Sequence, residues 1–442
     1  MRSLLSWSTC ATSADCVGVA RQPYGRCLHH LEADELEACL QGFSPGQAVD
    51  LRGTVITGEL LDAILSATGH AIGRARFDGA RFLSPARFGD AVFTSDASFD
   101  GARFDGLASF FGTGFNGNAS FHGVRFAREF SLHGCRVRGH LSLDEAVVTN
   151  DALFGEACLG SASFRGAEFH GFASFDRTRF HGDATFRGAR FWRAVSFRRT
   201  GFDGSSGFES VRFVGKAFLA PSVVARRLVL TEARAQGAVE IDVTGCPVVL
   251  DGARVLGRLV VRLGDVDLDL RGLVSRGASS VTRRGGEIRV VSVDRLDAEE
   301  LTIDGADLSG CHLPGVVGPE RLSLRDCVFA STPRGRHQLR LSWPPQWPPR
   351  WSARLSAQWA ARRSSRLSTP WSAPWPPRWP WRRAKTAKPR LRVIKFTWFA
   401  LVAVVTVAAL VLSAAPQPSG RRPIGHRPTS APVATQHGGL HG

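Results

Sequence analysis

The sequence predicts an all-β solenoid, a coil of short strands stacked along one axis, and three observations predict it. A large apolar residue, mostly phenylalanine, recurs from Phe77 to Leu219 at steps that alternate between five and six residues. A small residue usually lies two places before it, and glycine is common between the units. Neither the period of a helix nor that of an ordinary strand produces this spacing.

Each unit has the pattern of a short strand followed by a corner. In ASFDGARF, Ala97 and Phe99 lie on one face of an extended segment and Ser98 on the other. The next residues, Asp100 and Gly101, then turn the chain. Many such units in sequence bury their apolar residues against neighbouring coils. One residue is missing from the alternation just before Phe164.

The paired units ASFDGARF (97–104), ASFRGAEF (162–169) and ATFRGARF (184–191) resemble those of the pentapeptide-repeat family. The resemblance is strong over residues 75–219. It implies a right-handed quadrilateral β-helix with the large and the small residue pointing inward. The N-terminal cysteines and histidine, followed by a PG-x-x-VDLRGT run at 45–54, look like those of actinobacterial members. We expect an actinobacterial, membrane-anchored type.

The regions outside the strong repeat complete the predicted organisation. Leucines from Leu28 to Leu40 predict a helix ended by Gly42, and residues from Glu59 to Ala67 predict a second helix. They would form a small cap at the N-terminus, since solenoids need covered ends. The predicted regions are a cap at 1–70, a pentapeptide-repeat β-helix at 71–219, a degenerate continuation at 220–330, a disordered Trp/Pro/Arg-rich linker at 331–392, a transmembrane helix at 393–415 and a disordered tail at 416–442. For 220–330 a separate small β domain is the alternative.

A candidate membrane span begins at Phe396 and ends at Ala415. It contains 20 residues without a charge, which as a helix would cover about 30 Å, the thickness of a bilayer core. The segment before it is more basic than the segment after it. This asymmetry predicts a single-pass protein of the bacterial cell membrane with its repeat body in the cytoplasm. A buried core helix is the alternative.

The positive charge of the chain is concentrated in its last quarter. The net charge is +17, from 56 basic and 39 acidic residues. No acidic residue follows Asp326, whereas 19 basic residues do, which leaves 37 basic against 39 acidic residues before it. The body is therefore close to neutral, and this argues against nucleic acid as a partner.

Four residues of the predicted cap form a candidate metal site. Cys10, Cys16, Cys27 and His30 provide three thiols and an imidazole, a set that zinc prefers. Their spacing follows no established zinc motif. Buried cysteines in a small core are the alternative, and Cys39 is a substitute ligand.

Outward positions of the repeat contain a candidate interaction face. Arg81, Arg103 and Arg125 are 22 residues apart, so coils of four units would stack them on one face, about 4.8 Å apart. The alternative is that nearby acidic residues neutralise them, because residues 72–220 contain 19 basic and 15 acidic residues. Some family members protect DNA gyrase by mimicking DNA, which needs an acidic surface, and this Arg content argues against that mechanism.

The sequence favours a protein that is not an enzyme, since no catalytic motif brings together a nucleophile, a base and an orienting group. We expect a membrane-anchored scaffold that presents a β-helical surface to a protein partner. The alternatives are a DNA-mimic regulator of DNA gyrase and a zinc-dependent binding module.

Overall fold

The computed structural model describes residues 6–311 and 315–330, and these form a parallel β-solenoid. Each of two sheets contains 12 strands, one from every coil. The predicted all-β solenoid is therefore confirmed. No helix within the described residues is long and apolar enough to cross a lipid bilayer. The predicted linker, transmembrane helix and tail lie outside the described residues.

The strands pair in four ladders, each of which runs along the solenoid. Ladder A comprises Val49–Asp50, Ala75–Arg76, Ala97–Ser98, Ala119–Ser120, Arg136–Ser142, Cys158–Ser163, Ala184–Thr185, Ser206–Gly207, Leu228–Val229, Val248–Val249, Val266–Asp269, Ile288–Ser292 and Ala306–Asp307. Ladder B comprises Val55–Ile56, Arg81–Phe82, Arg103–Phe104, Arg125–Phe126, Val147–Val148, Glu168–Phe169, Arg190–Phe191, Arg212–Phe213, Arg234–Ala235, Arg254–Val255, Val274–Ser275 and Asp297–Ala298. Ladder C comprises Ala86–Arg87, Ala108–Ser109, Phe130–Ser131, Ala152–Leu153, Ala173–Ser174, Val195–Ser196, Ala217–Leu219, Val239–Thr244, Leu259–Gly264, Ser279–Arg283, Leu301–Asp304 and Leu322–Arg325. Ladder D comprises Ala71–Ile72, Val92–Phe93, Gly114–Phe115, Arg136–Ser142, Cys158–Ser163, Arg179–Phe180, Gly201–Phe202 and Val223–Val224.

The glycine between paired units makes a tight corner. Gly101 has a φ of 65°, in the left-handed region that glycine enters without strain. The N–H of Ala102 then donates to the carbonyl of Phe99 at 2.9 Å, which closes the turn. This corner brings Arg103–Phe104 into ladder B directly after Ala97–Ser98 of ladder A.

Phenylalanine rings fill most of the interior of the repeat and stack from coil to coil, with an interruption at Leu143 between Phe121 and Phe164. The Phe99 ring lies 4.8 Å from the Phe77 ring in the coil before it and 4.8 Å from the Phe121 ring in the coil after it. All three rings are nearly parallel and fully buried. Because successive coils pair in register, each of these rings lies against the equivalent ring of its neighbours.

The residue missing before Phe164 produces a bulge. Two strands, Arg136–Ser142 and Cys158–Ser163, run through ladders D and A without a corner and join the two ladders into one sheet. Val137 pairs with Leu159, but His140 pairs with Ser161, so the pairing slips by one position between them. The solenoid therefore absorbs the deletion in one irregular pair and keeps its ladders in register.

The helical cap differs from its prediction at one end. Cys27 and Leu31 are extended, so Leu28–His30 is a separate 3-10 turn. Helix α1 spans Ala33–Gln41, where Glu32 and Glu35 form a capping box, and Gly42 caps its end as predicted. The prediction that the first helix includes Leu28 is therefore wrong. Helix α2 spans Gly58–Ala67 and buries four apolar residues in the solenoid core: Leu60, Leu61, Ile64 and Leu65. A second 3-10 turn lies at Pro319–Arg321.

Candidate metal centre and surface columns

The four predicted metal ligands lie together at the N-terminal end. An antiparallel bridge between Thr9 and Val19 folds the first segment back on itself, and the 3-10 turn at Leu28–His30 follows. The ligand atoms of the group all lie within 4.8 Å of one another, and the group consists of Cys10, Cys16, Cys27 and His30. Cys39, the substitute ligand, lies in α1 and outside this group.

The three sulfur–nitrogen distances and one sulfur–sulfur distance of the group are close to those of a tetrahedral zinc site. The Nδ1 of His30 lies 3.4 Å from the Sγ of Cys10, 3.5 Å from that of Cys16 and 3.4 Å from that of Cys27. The Sγ atoms of Cys16 and Cys27 are 3.8 Å apart. Tetrahedral zinc with ordinary bond lengths separates two sulfurs by about 3.8 Å and a sulfur from a nitrogen by about 3.6 Å. The group can therefore hold a tetrahedral metal ion.

The pKa values of the thiols indicate that a bound cation would stabilise this group. Burial raises the pKa of the Cys27 thiol, and the neighbouring Cys16 and Cys10 raise it further, to about 12. Burial also acts to raise the pKa of Cys10, but hydrogen bonds with Thr12, Cys27 and His30 outweigh it and lower the value to about 6. Three thiolates in contact repel one another, and a bound dication removes that repulsion.

A half-buried arginine, Arg21, lies near Cys27 of the group. The Arg21 guanidinium donates to the carbonyl of Asp50 and lies 5.9 Å from the Phe43 ring. Its buried Nε has no hydrogen-bond partner among the residues that the structure describes. Burial lowers the pKa of Arg21, whereas Asp50, Cys39 and Cys27 act to raise it. Three thiolates around one dication carry a net negative charge, which favours a half-buried cation such as Arg21 at this position.

The metal-binding segment packs directly on the first coil. The N–H of Val19 donates to the carbonyl of Arg52 at 2.9 Å, and the Arg52 guanidinium lies 4.7 Å from the Trp7 ring. A Cβ on Gly53 would lie 2.5 Å from the carbonyl oxygen of Val17, so the backbones touch. A metal held by this segment would close the end of the solenoid.

The predicted arginine face is assembled, and acidic residues neutralise part of it. Arg103 lies between Arg81 and Arg125 in ladder B. The carboxylate of Asp105 pairs with the Nε of Arg81 at 2.7 Å and with that of Arg103 at 2.5 Å. Arg103, and to a smaller degree Arg81, lowers the pKa of Asp105 against the opposing effect of burial. Arg125 is exposed and has no ion pair among the described residues.

A comparison with protein families identifies the repeat. The family model described as pentapeptide repeats (9 copies) matches residues 72–114 and 158–201. These two segments are pentapeptide repeats. The predicted pentapeptide repeats are therefore confirmed for these segments, and the actinobacterial, membrane-anchored type stays a prediction. Between the two matched segments, the inward positions from 132 to 148 are aliphatic, at Leu132, Val137, Leu143 and Val148, whereas phenylalanine occupies inward positions on either side of them. No curated protein and no solved structure matches the chain.

The structure also assembles a second arginine column that the sequence analysis missed. Ladder B places four arginines next to one another: Arg190, Arg212, Arg234 and Arg254. Their spacing is constant up to Arg234 and becomes shorter at the last step, to Arg254. A search of the sequence for arginines at one constant spacing misses Arg254, because the last coil is shorter than the others. The full column is found only when the search allows both coil lengths.

Proposed function

We propose that this protein is a non-enzymatic scaffold that presents in-register columns of side chains to a protein partner. One observation carries the proposal: the ladders hold outward residues of successive coils side by side, as with Arg81, Arg103 and Arg125. A single buried core runs beneath them from Leu28 to Cys327. Solenoids of this kind provide extended, rigid binding surfaces.

Affinity purification of the full-length chain tests the scaffold proposal. The first variant replaces Arg81, Arg103 and Arg125 with Gln, and the matched control replaces Arg87 of ladder C, an exposed arginine of the same strand type. We expect a co-purifying protein that the control retains and the triple variant loses. Identical sets of co-purifying proteins for both variants would remove this face as the binding surface.

The proposed scaffold is anchored in the bacterial cell membrane by the segment from Phe396 to Ala415, with its body in the cytoplasm. The absence of charge in that segment and the basic flank before it support this topology. Protease added to intact spheroplasts should leave the body uncut, and protease added after lysis should cut it. Cleavage of the body in intact spheroplasts would contradict the topology.

The proposed coil is a right-handed, four-sided β-helix, as in the family that the repeat belongs to. The four ladders of residues 71–224 support four sides.

The second proposed function is zinc binding by the N-terminal cap. The sulfur and nitrogen separations described above favour it, because they are close to the edges of a zinc tetrahedron. Zinc would offset most of the charge of the three thiolates and hold the segment before Leu28 against the first coil. Zinc binding would then be a property of the N-terminal cap alone, and the solenoid could still act as a scaffold.

Metal analysis of the full-length protein, purified from zinc-supplemented cells, tests zinc binding. We expect one zinc per chain in the wild type and in Cys246→Ser, which replaces a buried cysteine far along the solenoid. Cys27→Ser should lose the metal. Cobalt in place of zinc should give a thiolate-to-metal charge-transfer band that the same variant lacks. Equal zinc in all three proteins would place the metal elsewhere.

Mimicry of DNA is the weaker alternative. The described ladder B presents outward arginines in seven of its twelve strands, beginning at Arg81 and ending at Arg254. A DNA-like surface would need carboxylates at such positions. A supercoiling assay in which the protein inhibits gyrase would restore this alternative.

A further inference from the structure

One edge of the solenoid combines exposed arginines with exposed apolar residues. We call it the basic–apolar edge and define it by Arg212, Arg234 and Arg254 of ladder B and by Trp192 and Leu256 at the adjoining corner. The arginines are exposed outward residues of neighbouring strands. Trp192 is 43% exposed and Leu256 is 58% exposed, which is high for such large apolar side chains.

More basic residues border this edge on its other side. The corners that lead from ladder B into ladder C contain three of them, and all are exposed: Arg193, Lys216 and Arg258. The apolar positions of the edge therefore lie between two basic columns. Within the part of the chain that the structure describes, no ion pair involves Arg212, Arg234 or Arg254, nor these three bordering residues.

Acidic residues of the same coils lie at the opposite end of the ladder B strands. Glu209, Glu232 and Asp251 occupy the corners that lead from ladder A into ladder B. Each of them lies two or three residues before an arginine of the edge, and none forms an ion pair with that arginine among the described residues. The residues that define the edge are therefore basic or apolar, and the nearest carboxylates lie on the side of these strands that faces ladder A.

The equivalent edge of the earlier coils is different. There Asp105 occupies the corner position and pairs with the Arg81 and Arg103 guanidinium groups. Glu168 occupies a ladder B position and pairs with Arg190 at 2.7 Å. Carboxylates thus neutralise these three arginines, whereas Arg125 of the earlier coils and the three arginines of the edge have no ion pair among the described residues. The difference lies on one continuous ladder, so the coil fold does not impose it.

We propose that the basic–apolar edge binds the surface of an anionic lipid bilayer. Guanidinium groups attract anionic headgroups, and each basic residue near such a surface contributes about 1 kcal/mol. Tryptophan and leucine between them can enter the headgroup region, where an aromatic or aliphatic side chain gains from partial burial. An acidic protein would satisfy the arginines but gives no account of the exposed Trp192 and Leu256.

This inference goes beyond the proposed scaffold and does not depend on the candidate span at 396–415. A span of that kind would insert into neutral and anionic bilayers alike. Binding through the edge requires anionic lipid and covers named arginines of the body. The two forms of membrane association therefore give separable results.

Arginine footprinting of the full-length protein tests the proposal. The protein is mixed with vesicles of phosphatidylcholine alone or of phosphatidylcholine with phosphatidylglycerol, treated with phenylglyoxal and analysed by peptide mass spectrometry. We expect modification of Arg212, Arg234 and Arg254 to slow about fivefold or more with the anionic vesicles, since about 1 kcal/mol per residue is a factor of about five. Arg81 and Arg103 are the internal control and should react at the same rate with both.

Two variants separate the contributions of the edge. Trp192→Ser with Leu256→Ser should weaken the protection of Arg234, whereas the matched control Leu83→Ser with Phe111→Ser, also exposed residues, should leave it unchanged. Equal modification rates with both vesicle types would overturn the proposal, as would equal slowing at Arg81 and Arg103. Protection by soluble polyglutamate but not by vesicles would also overturn it, in favour of an acidic protein.

Discussion

The first and second halves of the solenoid solve the same packing problem with coils of different size. The first half usually takes 22 residues per coil, as from Asp96 to Asn118, and its interior is mostly phenylalanine. The second half, from Leu228 to Ser279, takes 20 residues per coil, as from Leu259 to Ser279, and its interior is aliphatic. Ladders A, B and C continue through both halves, whereas ladder D ends at Val223–Val224.

The two missing residues both come from one side of the coil. The step from ladder A to ladder B is six residues in both halves, and that from ladder B to ladder C is five. The step from ladder C back to ladder A is the one that shortens, as a comparison of Val195 to Ser206 with Val239 to Val248 shows. The strand Val239–Thr244 runs where two short strands and a corner lie in the first half. A coil with one corner fewer encloses less space, so it contains smaller side chains.

The largest expected effect comes from breaking a phenylalanine stack. Phe99→Ala removes a ring that is stacked at 4.8 Å on both sides, and we expect it to lower the free energy of unfolding by about 4 kcal/mol. Leu250→Ala, in the aliphatic half, should cost about 3 kcal/mol. Urea unfolding followed by circular dichroism measures both. A greater loss for Leu250→Ala would show that the stacks add nothing to the first half.

The next effect tests how closely the backbones approach at the corner between ladders B and C. A Cβ on Gly237 would lie 2.3 Å from the carbonyl oxygen of Gly215, so Gly237→Ala should cost about 3 kcal/mol. Gly114→Ala is the matched control, because its Cβ would meet only the Val92 side chain at 3.9 Å. Thermal unfolding should leave the control near the wild type. A neutral Gly237→Ala would mean that this corner has room.

A third effect tests the size of the interior directly. Leu250→Phe puts a ring into one of the shorter coils, where overpacking should cost about 2 kcal/mol. Leu143→Phe puts the same ring into the first half, between Phe121 and Phe164 in the same inward column, and should cost less than about 1 kcal/mol. Urea unfolding measures the free energy of unfolding of both variants. If both variants lose the same free energy of unfolding, the shorter coils do not have a smaller interior.

The sequence predicted the first half of the fold well because its signal is local. Each unit contains its own strand, inward pair and corner, so Phe99 and Gly101 indicate their places without long-range information. The shortening of the coil in the second half was not predicted, because it follows from a fused strand whose alternation, as in Val239–Thr244, is that of any strand. The start of α1 was misplaced because the leucine spacing from Leu28 ignores the extended residues around His30.

The candidate metal centre was predictable in composition but not in geometry. Three cysteines and a histidine suggest zinc in any order, but only the fold-back at Thr9 and Val19 brings Cys10 beside His30. The second arginine column depends on information from still farther along the chain, namely the length of each coil. Arg254 becomes a neighbour of Arg234 only when the change of coil length is known.

The smallest expected effect tests why the two arginine columns differ. Asp105→Asn removes the carboxylate that Arg81 and Arg103 share, and an exposed pair of this kind stabilises by less than about 1 kcal/mol. Because these arginines lower the pKa of Asp105, its contribution is present above the ordinary carboxyl pKa and is lost as the pH falls through the folded value. The stability difference from the wild type should therefore shrink in acid. The same variant should make Arg81 and Arg103 sensitive to anionic vesicles in the footprinting experiment, because they would then lack a carboxylate partner, as Arg212, Arg234 and Arg254 do among the described residues. If both arginines stay insensitive, exposed apolar neighbours such as Trp192 and Leu256 contribute more to the difference than charge does.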